Sequence, residues 1–436
     1  MRHIADLAKG SLIYFLGSAA NAVLPLLLLP ILTRPEPPYL TVGDSGIVTI
    51  ASDVLLPIII VVTGFNAYGL LARNFFDKDE TKLSQLLSVS CILAAVISFF
   101  LLIVCWFAQA PLAQFFEFPA RWFPAVIFLS FATVIQNNYL ALLQARKEPF
   151  RFIANQTISN IINIGFSLWL LIGFDMHWQG RIWALIAAMT SVLLISLWGL
   201  HGRLHLLKFT FHWDALKELL AFGVPLIPHV AGGLIMAVSA RFFLNRMVSI
   251  DETGLFGIAY RFTTPIAMVV GAANKAYLPA LFEILSHEKT LNKFSLCRWL
   301  ILAGLGLVIG GFIYALVIKA ILPIFVGVSF LKAGNYLVWL SLTMSFQGLY
   351  FIFSNLVIYS KKTHLLSWRA DFLGAIAMLA LCPLLIHFIG AVGAAVATML
   401  ATLVSTIGCI WAAKRAYPMP WGKAIASLIF PFQKNT

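Results

Sequence analysis

The sequence predicts an all-α polytopic membrane protein with about 12 transmembrane helices in two six-helix bundles related by a parallel repeat. Three observations predict it. Of 436 residues, 61% are hydrophobic and only 11% charged, with a mean hydropathy of +0.92, whereas a soluble chain is about 25% charged. The apolar residues gather into runs of span length. The two halves also resemble each other at a nearly constant offset. This composition excludes a soluble enzyme, a disordered chain and a coiled coil.

Six apolar runs fill the first half, at 11–33, 47–71, 83–107, 122–144, 152–174 and 182–200. Six more follow at 215–240, 254–274, 298–320, 334–357, 367–389 and 390–413. They are too long for strands and too apolar for surface helices. Only helices and closed barrels satisfy every backbone polar group inside hydrocarbon, so each run is read as a helix. The first is too long for the apolar core of a cleaved signal, and another span follows soon after. The second holds Asp53. The fourth holds Gln136, Asn137 and Asn138, and the fifth holds Asn155, Gln156, Asn160 and Asn163. Gln156, Asn160 and Asn163 are spaced four and then three apart, on one helix face. The seventh holds Pro225, Pro228 and His229, and the eighth holds Arg261. The ninth carries Gly304-x-Gly306-x-x-x-Gly310, which lies within a span with no strand before it and is read as close helix packing rather than a phosphate loop. The eleventh opens near Asp371, and the twelfth opens at Gly390. A short apolar tail, 424–430, lies between Pro420 and Pro431 and is read as interfacial.

The cationic residues alternate between loops. On one side lie Arg2, Arg73, Arg146, Lys208, Lys275, Lys361, Lys414 and their neighbours, 22 of the 30 Lys and Arg. The other side has seven, and Arg261 falls within a run. Positive residues stay cytoplasmic, so both termini are placed inside with an even number of spans. The net charge of +13 is therefore topology, not a nucleic-acid footprint. The five cysteines are scattered in or beside apolar runs with no C-x-x-C, so neither a disulfide framework nor a zinc site is expected. Every loop is short; the longest, Tyr277–Cys297, has about 20 residues.

His177-Trp-Gln-Gly180 at the sixth run aligns with His387-Phe-Ile-Gly390 at the twelfth, at an offset of 210. Asn66-Ala67-Tyr68 aligns with Asn274-Lys-Ala276-Tyr277 at 208, and Gly10 with Gly223 at 213. Both halves begin on the same side, so they are parallel repeats, the plan of a transporter whose two bundles rock about a cavity. Residues 1–205 are assigned to an N-terminal six-helix bundle. Residues 206–436 are assigned to a C-terminal six-helix bundle with the short interfacial tail.

Several motifs carry a family resemblance across nearly the whole chain. They are Leu219-x-x-Phe222-Gly223-x-Pro225, Arg241-Phe-Phe-Leu-Asn245, Gly254-Leu-Phe-Gly257-Ile-Ala259-Tyr260-Arg261 and Ala276-Tyr277-Leu-Pro279. Tyr359-Ser-Lys361-Lys362-Thr363, Gly390-x-x-Gly393-Ala394, Arg73-Asn-Phe and Gln144-Ala-Arg146-Lys147 complete the set. In this order they resemble the polysaccharide (O-antigen) flippases of the multidrug/oligosaccharidyl-lipid/polysaccharide exporter superfamily. One departure is Ala240, where that family often has an acid before the arginine. The resemblance implies a bacterial inner-membrane protein that moves an oligosaccharide on a polyprenyl diphosphate lipid to the outer leaflet, for surface polysaccharide or O-antigen of lipopolysaccharide. It implies alternating access, coupling to H+ or Na+, contact with membrane lipids, and association with the polymerase and chain-length machinery. It implies no catalytic residue, metal or cofactor.

A charge at the bilayer centre costs about 2.5–3.5 kcal/mol on the insertion scale, so the few ionisable residues in spans are candidates by default. Arg261, Lys275 and Arg241 suit a diphosphate, because their N–H groups make charge-assisted hydrogen bonds to its oxygens. The plainer readings are an ion pair or snorkelling for Arg261 and Arg241, and headgroup contact for Lys275. Asn138 and Asn163 suit sugar hydroxyls, against the plainer reading that amides hold membrane helices together. Asp53, Asp371 and His229 are candidates for ion coupling or gating. Asp371 is otherwise a solvated acid at a helix N-terminus, and His229 otherwise a structural group beside proline-freed carbonyls. Asp53 and Arg261 stand at the repeat offset of 208, which places opposite charges at matching depth. They are expected about 9–10 Å inside the outer end of their spans, paired when the outer side is closed. The competing readings are a multidrug exporter of the same superfamily and, from another class, a membrane polymerase or glycosyltransferase. The last lacks the aqueous loop that such chemistry needs.

The charge count yields a direct check. An alkaline phosphatase fused after Thr436 is expected to be inactive and fusions near Asp44 or Asp175 active. An active C-terminal fusion contradicts both the topology and the repeat.

Overall fold

The computed structural model describes residues 17, 21, 24–35, 37–64, 70, 71, 75, 79–208, 210–224, 227–286, 292–360 and 370–429, and among them no strand occurs. The helices of the first half are α1 (Leu28–Thr33), α2 (Val42–Gly64), α3 (Glu80–Phe107), α4 (Gln109–Phe116), α5 (Ala120–Ala145), α6 (Pro149–Phe174) and α7 (His177–Arg203). Then come α8 (Trp213–Gly223), α9 (Ile227–Met247), α10 (Ile250–Ser286), α11 (Lys293–Phe325), α12 (Val328–Tyr359), α13 (Phe372–Ile389), α14 (Val392–Ala416) and α15 (Trp421–Ile429). The protein is an all-α polytopic membrane protein. Among the described residues, ten helices are long and apolar enough to cross a bilayer: α2, α3, α5, α6, α7 and α10 through α14. Of run 11–33, residues 17, 21 and 24–33 are described, and α1 forms its end.

Two boundaries differ from the sequence reading. Run 215–240 is described as the amphipathic α8, which ends at Gly223, and α9, from Ile227; Pro225 and Leu226 between them lie outside the described residues. Helix α2 starts at Val42, five residues before the apolar run. There Thr41 and Asp44 form a reciprocal capping box that hydropathy does not register. The expected loop Tyr277–Cys297 is mostly helix, since α10 continues to Ser286 and α11 starts at Lys293. Leu281 and Leu285 pack on Cys297 and Leu300, so both helix extensions have a buried face.

The chain gathers into two compact units. The first comprises Met1–Leu234, Leu244–Gly257 and Pro323–Leu331; the second comprises Ile235–Phe243, Ile258–Leu322 and Lys332–Thr436. In the first unit, α6 and α7 form an antiparallel hairpin. Asp175 closes it at φ 52°, and a Cβ on Gly180 would stand 2.7 Å from Leu171. Trp122 wedges its ring between Trp178 and Trp183, at 5.4 and 5.7 Å. At the other end of the hairpin, α3, α5 and α7 bury Leu86, Leu87, Ile135, Leu142, Leu143 and Leu200 in one cluster. Ser84 ties that cluster to the α7–α8 connection by donating to the Leu206 carbonyl at 2.6 Å. A π-helical turn, Trp198–Arg203, lets Arg203 reach Glu148 at 2.7 Å, and Arg151 reaches the same oxygen at 2.8 Å.

In the second unit, α14 is lined by small residues. Ala394, Ala397, Ala401, Ser405, Thr406 and Cys409 are buried, and its threonines return their hydroxyls to carbonyls four residues back. Lipid tails are as apolar as leucine, so membrane helices associate by close contact of such small residues rather than by hydrophobic burial. Gly390 adopts φ 69° to turn α13 into α14, and a Cβ on Gly393 would stand 2.3 Å from the Leu385 backbone. By packing role, Gly180 thus corresponds to Gly393 rather than to Gly390. The glycine run of α11 is split: Gly304 packs on Leu349, whereas Gly306 and Gly310 face open space. Helix α15 docks Trp421 on Phe353 with ring centroids 5.4 Å apart. Of the most apolar stretches of α6 and α11 only 17% is buried. Their exposed Trp169, Trp299 and Ile309 would aggregate in water and are at home in lipid.

These contacts give a stability prediction. Gly393→Val has no room against a backbone atom and should cost about 1–3 kcal/mol, read as a lower detergent melting temperature. Gly306→Ala faces open space and should be neutral or stabilising by up to about 1 kcal/mol. Equal effects at the two positions would contradict the packing.

Candidate functional site

In the first unit the polar residues of the spans bind one another. Asn138, buried in α5, donates to Ser90 of α3 at 3.0 Å. Gln136 donates to Asn155 of α6 at 2.9 Å. Asn160 donates to both oxygens of Asn21. Asn163 accepts from Arg181 of α7 at 3.0 Å, and Ser167 also accepts from Arg181. Of the two amides read as sugar ligands, Asn138 is therefore committed to a helix–helix contact and Asn163 to holding an arginine. Arg181 is a buried guanidinium that the charge count treated only as a loop marker. Its signal was the two-residue α6–α7 turn, which folds residue 181 back onto α6.

Asp53 lies half-buried within the π-helical turn Ile50–Leu55 of α2 and accepts from Ser52 Oγ at 2.9 Å. A π turn adds one residue to a helix and recurs at functional sites. Pro57 follows four residues later, so no N–H at position 57 serves the Asp53 carbonyl. In α10, Pro265 follows Arg261 by the same four residues, and it likewise offers the Arg261 carbonyl no N–H. Asp53 and Pro57 stand 208 residues before Arg261 and Pro265, so the repeat conserves the proline beneath an inverted charge. The proline pair was legible in the sequence and was missed. Both charged residues lie eleven positions into their helices, about 17 Å along the axis at 1.5 Å per residue. That is deeper than the sequence reading, because the capped, polar first turns count as helix.

In the second unit, Arg241 is buried on α9. It donates to the Ala237 carbonyl at 2.5 Å and stacks its guanidinium 4.3 Å above the Tyr260 ring. Arg261 follows Tyr260 on α10 and is half-buried. Tyr314 of α11 donates to the carbonyl of Phe262 at 2.7 Å. Asn355 donates to Asn274 at 2.7 Å, and Tyr350 donates to Asp371 at 3.0 Å. The side chains of Lys275 and His229 lie outside the described residues. Tyr277 follows on α10 beyond the apolar stretch. Its hydroxyl is buried without a hydrogen-bond partner among the described residues, and burial pushes its phenol above the ordinary range. It stays a neutral donor at physiological pH. Among the described residues no His, Cys, Asp or Glu cluster could hold a metal ion.

Within the first unit, α2 crosses the first two turns of α10 with reciprocal contacts. A Cβ on Gly46 would stand 2.1 Å from the Ile250 carbonyl oxygen, and one on Gly254 would stand 2.3 Å from that of Val42. Val42 and Ile250, like Gly46 and Gly254, are 208 apart. One further pair at that spacing touches directly: Gly257 on Thr49 Oγ1, a Cβ there standing at 2.4 Å. Residue i meeting j while j's counterpart meets i's is the signature of a two-fold contact. Two cavities open near this crossing. One of about 700 Å³ is lined by Thr33, Arg34, Thr41, Gly43, Asp251 and Ser329. One of about 470 Å³ is lined by Asp44, Asp175 and His177 among others, with His177 Nδ1 3.5 Å from Asp44.

Residues 7–285 match the family described as Polysaccharide biosynthesis protein, which is more than half of the chain. "Lsg locus putative protein 1" of Haemophilus influenzae is 23% identical over 363 residues, covering 82% of this chain and 86% of that protein. An "Uncharacterized membrane protein" of the same organism is 25% identical over 367 residues, covering 83% and 86%. Among solved structures, the lipid II flippase MurJ in an inward closed conformation aligns with a TM-score of 0.69. It is 13% identical and covers 98% of this chain and 93% of its own. An inward-facing multidrug resistance MATE family transporter of the MOP superfamily aligns with a TM-score of 0.66 at 16% identity, covering 92% and 94%. At these identities the structures share the fold.

The polar inventory separates two side chains by role. Arg181→Ala removes charged hydrogen bonds from a buried site and should cost about 1.5–3 kcal/mol. Tyr277→Phe removes a hydroxyl with no partner and should leave the melting temperature unchanged or raise it. A several-degree drop for Tyr277→Phe would contradict that assignment.

Proposed function

Because the chain belongs to the polysaccharide biosynthesis protein family, we propose that it is a flippase for oligosaccharide carried on a polyprenyl diphosphate lipid. Family membership carries this reading. The multi-pass fold, aligned over nearly the whole chain with a lipid II flippase and a MATE transporter, supports transport rather than catalysis. The protein works by alternating access in the inner membrane with both termini cytoplasmic. Its two halves, 1–205 and 206–436, act as repeat-related bundles. Arg241, Arg261 and Lys275 receive the diphosphate, whose oxygens favour guanidinium and ammonium donors. Asn163 and Asn138 serve the glycan through the networks they hold. Asp53, Asp371 and His229 couple the cycle to H+ or Na+. Surface polysaccharide, including O-antigen of lipopolysaccharide, is the product pathway, and the polymerase and chain-length machinery are the partners.

The second reading is a multidrug exporter, favoured by the MATE-like fold. A cationic site suits a diphosphate and an acidic one a cationic drug. The buried Arg241 on α9 and the half-buried Arg261 on α10 favour the former.

Deleting the gene should strand lipid-linked oligosaccharide on the cytoplasmic leaflet and abolish the surface polysaccharide. Unaltered surface glycan with new drug sensitivity would support the exporter instead. Asp53→Ala and Arg261→Ala should each reduce transport more than expression, and exchanging the two should recover folding without full transport. If both alanine variants transport normally, their assigned roles are wrong.

A further inference from the structure

At the end of the first unit that the charge count assigns to the cytoplasm, cations gather on one acid. The α5–α6 turn is closed by Lys147 at φ 58° and by the Glu148 amide, which donates to the Leu143 carbonyl at 2.9 Å. Glu148 then receives two guanidiniums on one carboxylate oxygen, Arg203 from α7 at 2.7 Å and Arg151 from the first turn of α6 at 2.8 Å. Arg146 and Lys147 stand on the same turn, so four cations accompany a single carboxylate. The cluster has donors to spare. Arg203 Nη1 and Arg146 Nε are buried with no hydrogen-bond partner among the described residues. Each such donor costs about 1–3 kcal/mol, and a site that keeps them calls for a further acceptor.

A regular helix would not build this site. Trp411 stands 213 residues after Trp198, the offset of Gly10 and Gly223. In α14, a regular α-helix there, Arg415 folds its guanidinium over the Trp411 ring at 4.1 Å. In α7 the π-helical turn Trp198–Arg203 puts one more residue between tryptophan and arginine. Gly199 admits that turn against α5, since a Cβ there would stand 2.5 Å from the Tyr139 ring. Arg203 is carried to Glu148, and Trp198 is left exposed beside Gly202. Phe150, at the start of α6, is exposed as well. An exposed tryptophan at the end of a span belongs at the membrane–water interface.

We propose that Arg151 and Arg203, with Arg146 behind them, form a binding site for the phosphodiester headgroup of an anionic phospholipid, with Trp198 and Phe150 bordering its acyl chains. Each guanidinium gives Glu148 one nitrogen, and its planar fork keeps further N–H groups for phosphate oxygens. Two guanidiniums and one carboxylate leave a single positive charge, the complement of a phosphodiester. The ammonium of a zwitterionic headgroup would meet Arg146 and Lys147, which selects for a headgroup without a cation. Basic pockets between helix ends on the cytoplasmic side are suited to such lipids. The site is independent of the flippase reading, since lipid binding needs no transport.

The test titrates the full chain, purified in detergent and freed of lipid, with dioleoylphosphatidylglycerol while its melting temperature is followed. A lipid that binds only the folded state raises that temperature with concentration. Phosphatidylglycerol should raise it by about 2 °C or more, whereas dioleoylphosphatidylethanolamine and inorganic phosphate at the same concentration should not. Arg151→Gln and Arg203→Gln should each move the half-effect concentration about tenfold higher. Arg415→Gln, which removes a cation from the end of α14, should leave it unchanged. Each variant is compared with its own lipid-free melting temperature, so lost packing at Glu148 does not register as lost binding. Arg151 is 54% exposed, so its variant is expected to fold and decides the matter if Arg203→Gln does not fold. An unchanged phosphatidylglycerol response in Arg151→Gln overturns the site, and so does an equal response to phosphatidylethanolamine. An equal response to inorganic phosphate overturns the lipid as its occupant.

Discussion

Hydrocarbon offers no hydrogen-bond partner, and that constraint organises this protein. Each backbone amide in a span must bond within its own helix, which accounts for the absence of strands among the described residues. The same constraint acts on side chains. Asn138 with Ser90, Gln136 with Asn155, Asn163 with Arg181, Asn274 with Asn355 and Tyr350 with Asp371 each settle a polar group against a neighbouring helix. The pairs are glue in the energetic sense, and they also fix which helices stay together as a unit.

Where the constraint is relaxed, the helix itself changes. The π turn at Asp53 precedes Pro57, and the repeat places Pro265 after Arg261 in the same relation. A proline in a span withdraws one donor and leaves a carbonyl to be served otherwise. Two such positions, each carrying a charge, are costly features to retain at matching places in both halves.

Close approach is the second organising device. In α14 it comes from a face of alanine, serine and threonine, and at the α2–α10 crossing it comes from Gly46, Gly254 and Gly257. The two arrangements differ in consequence. The α13–α14 and α12–α14 seams have threonine and serine hydroxyls embedded along them, which suits permanent association. The α2–α10 seam sets glycines against the Ile250 and Val42 carbonyls and against the Ile250 and Thr49 side chains, in reciprocal pairs at the repeat spacing.

The sequence by itself determined the all-helical membrane class, the places of most spans and the repeat offset, because apolar run length and composition are local properties fixed by the bilayer. The offset of 208 read from Asn66 and Asn274 also governs which residues touch at the crossing. Only the tertiary structure decided that α2 begins at a capping box and that α10 runs on to Ser286. Those outcomes depend on side-chain caps and on burial against distant helices, which hydropathy does not sum. The candidate site was legible as residue types but not as roles. Asn138 and Asn163 look alike in sequence, yet one closes a helix pair and the other orients Arg181. Which partner a polar group finds in a low-dielectric interior is set by the packing of whole helices, not by its neighbours in the chain.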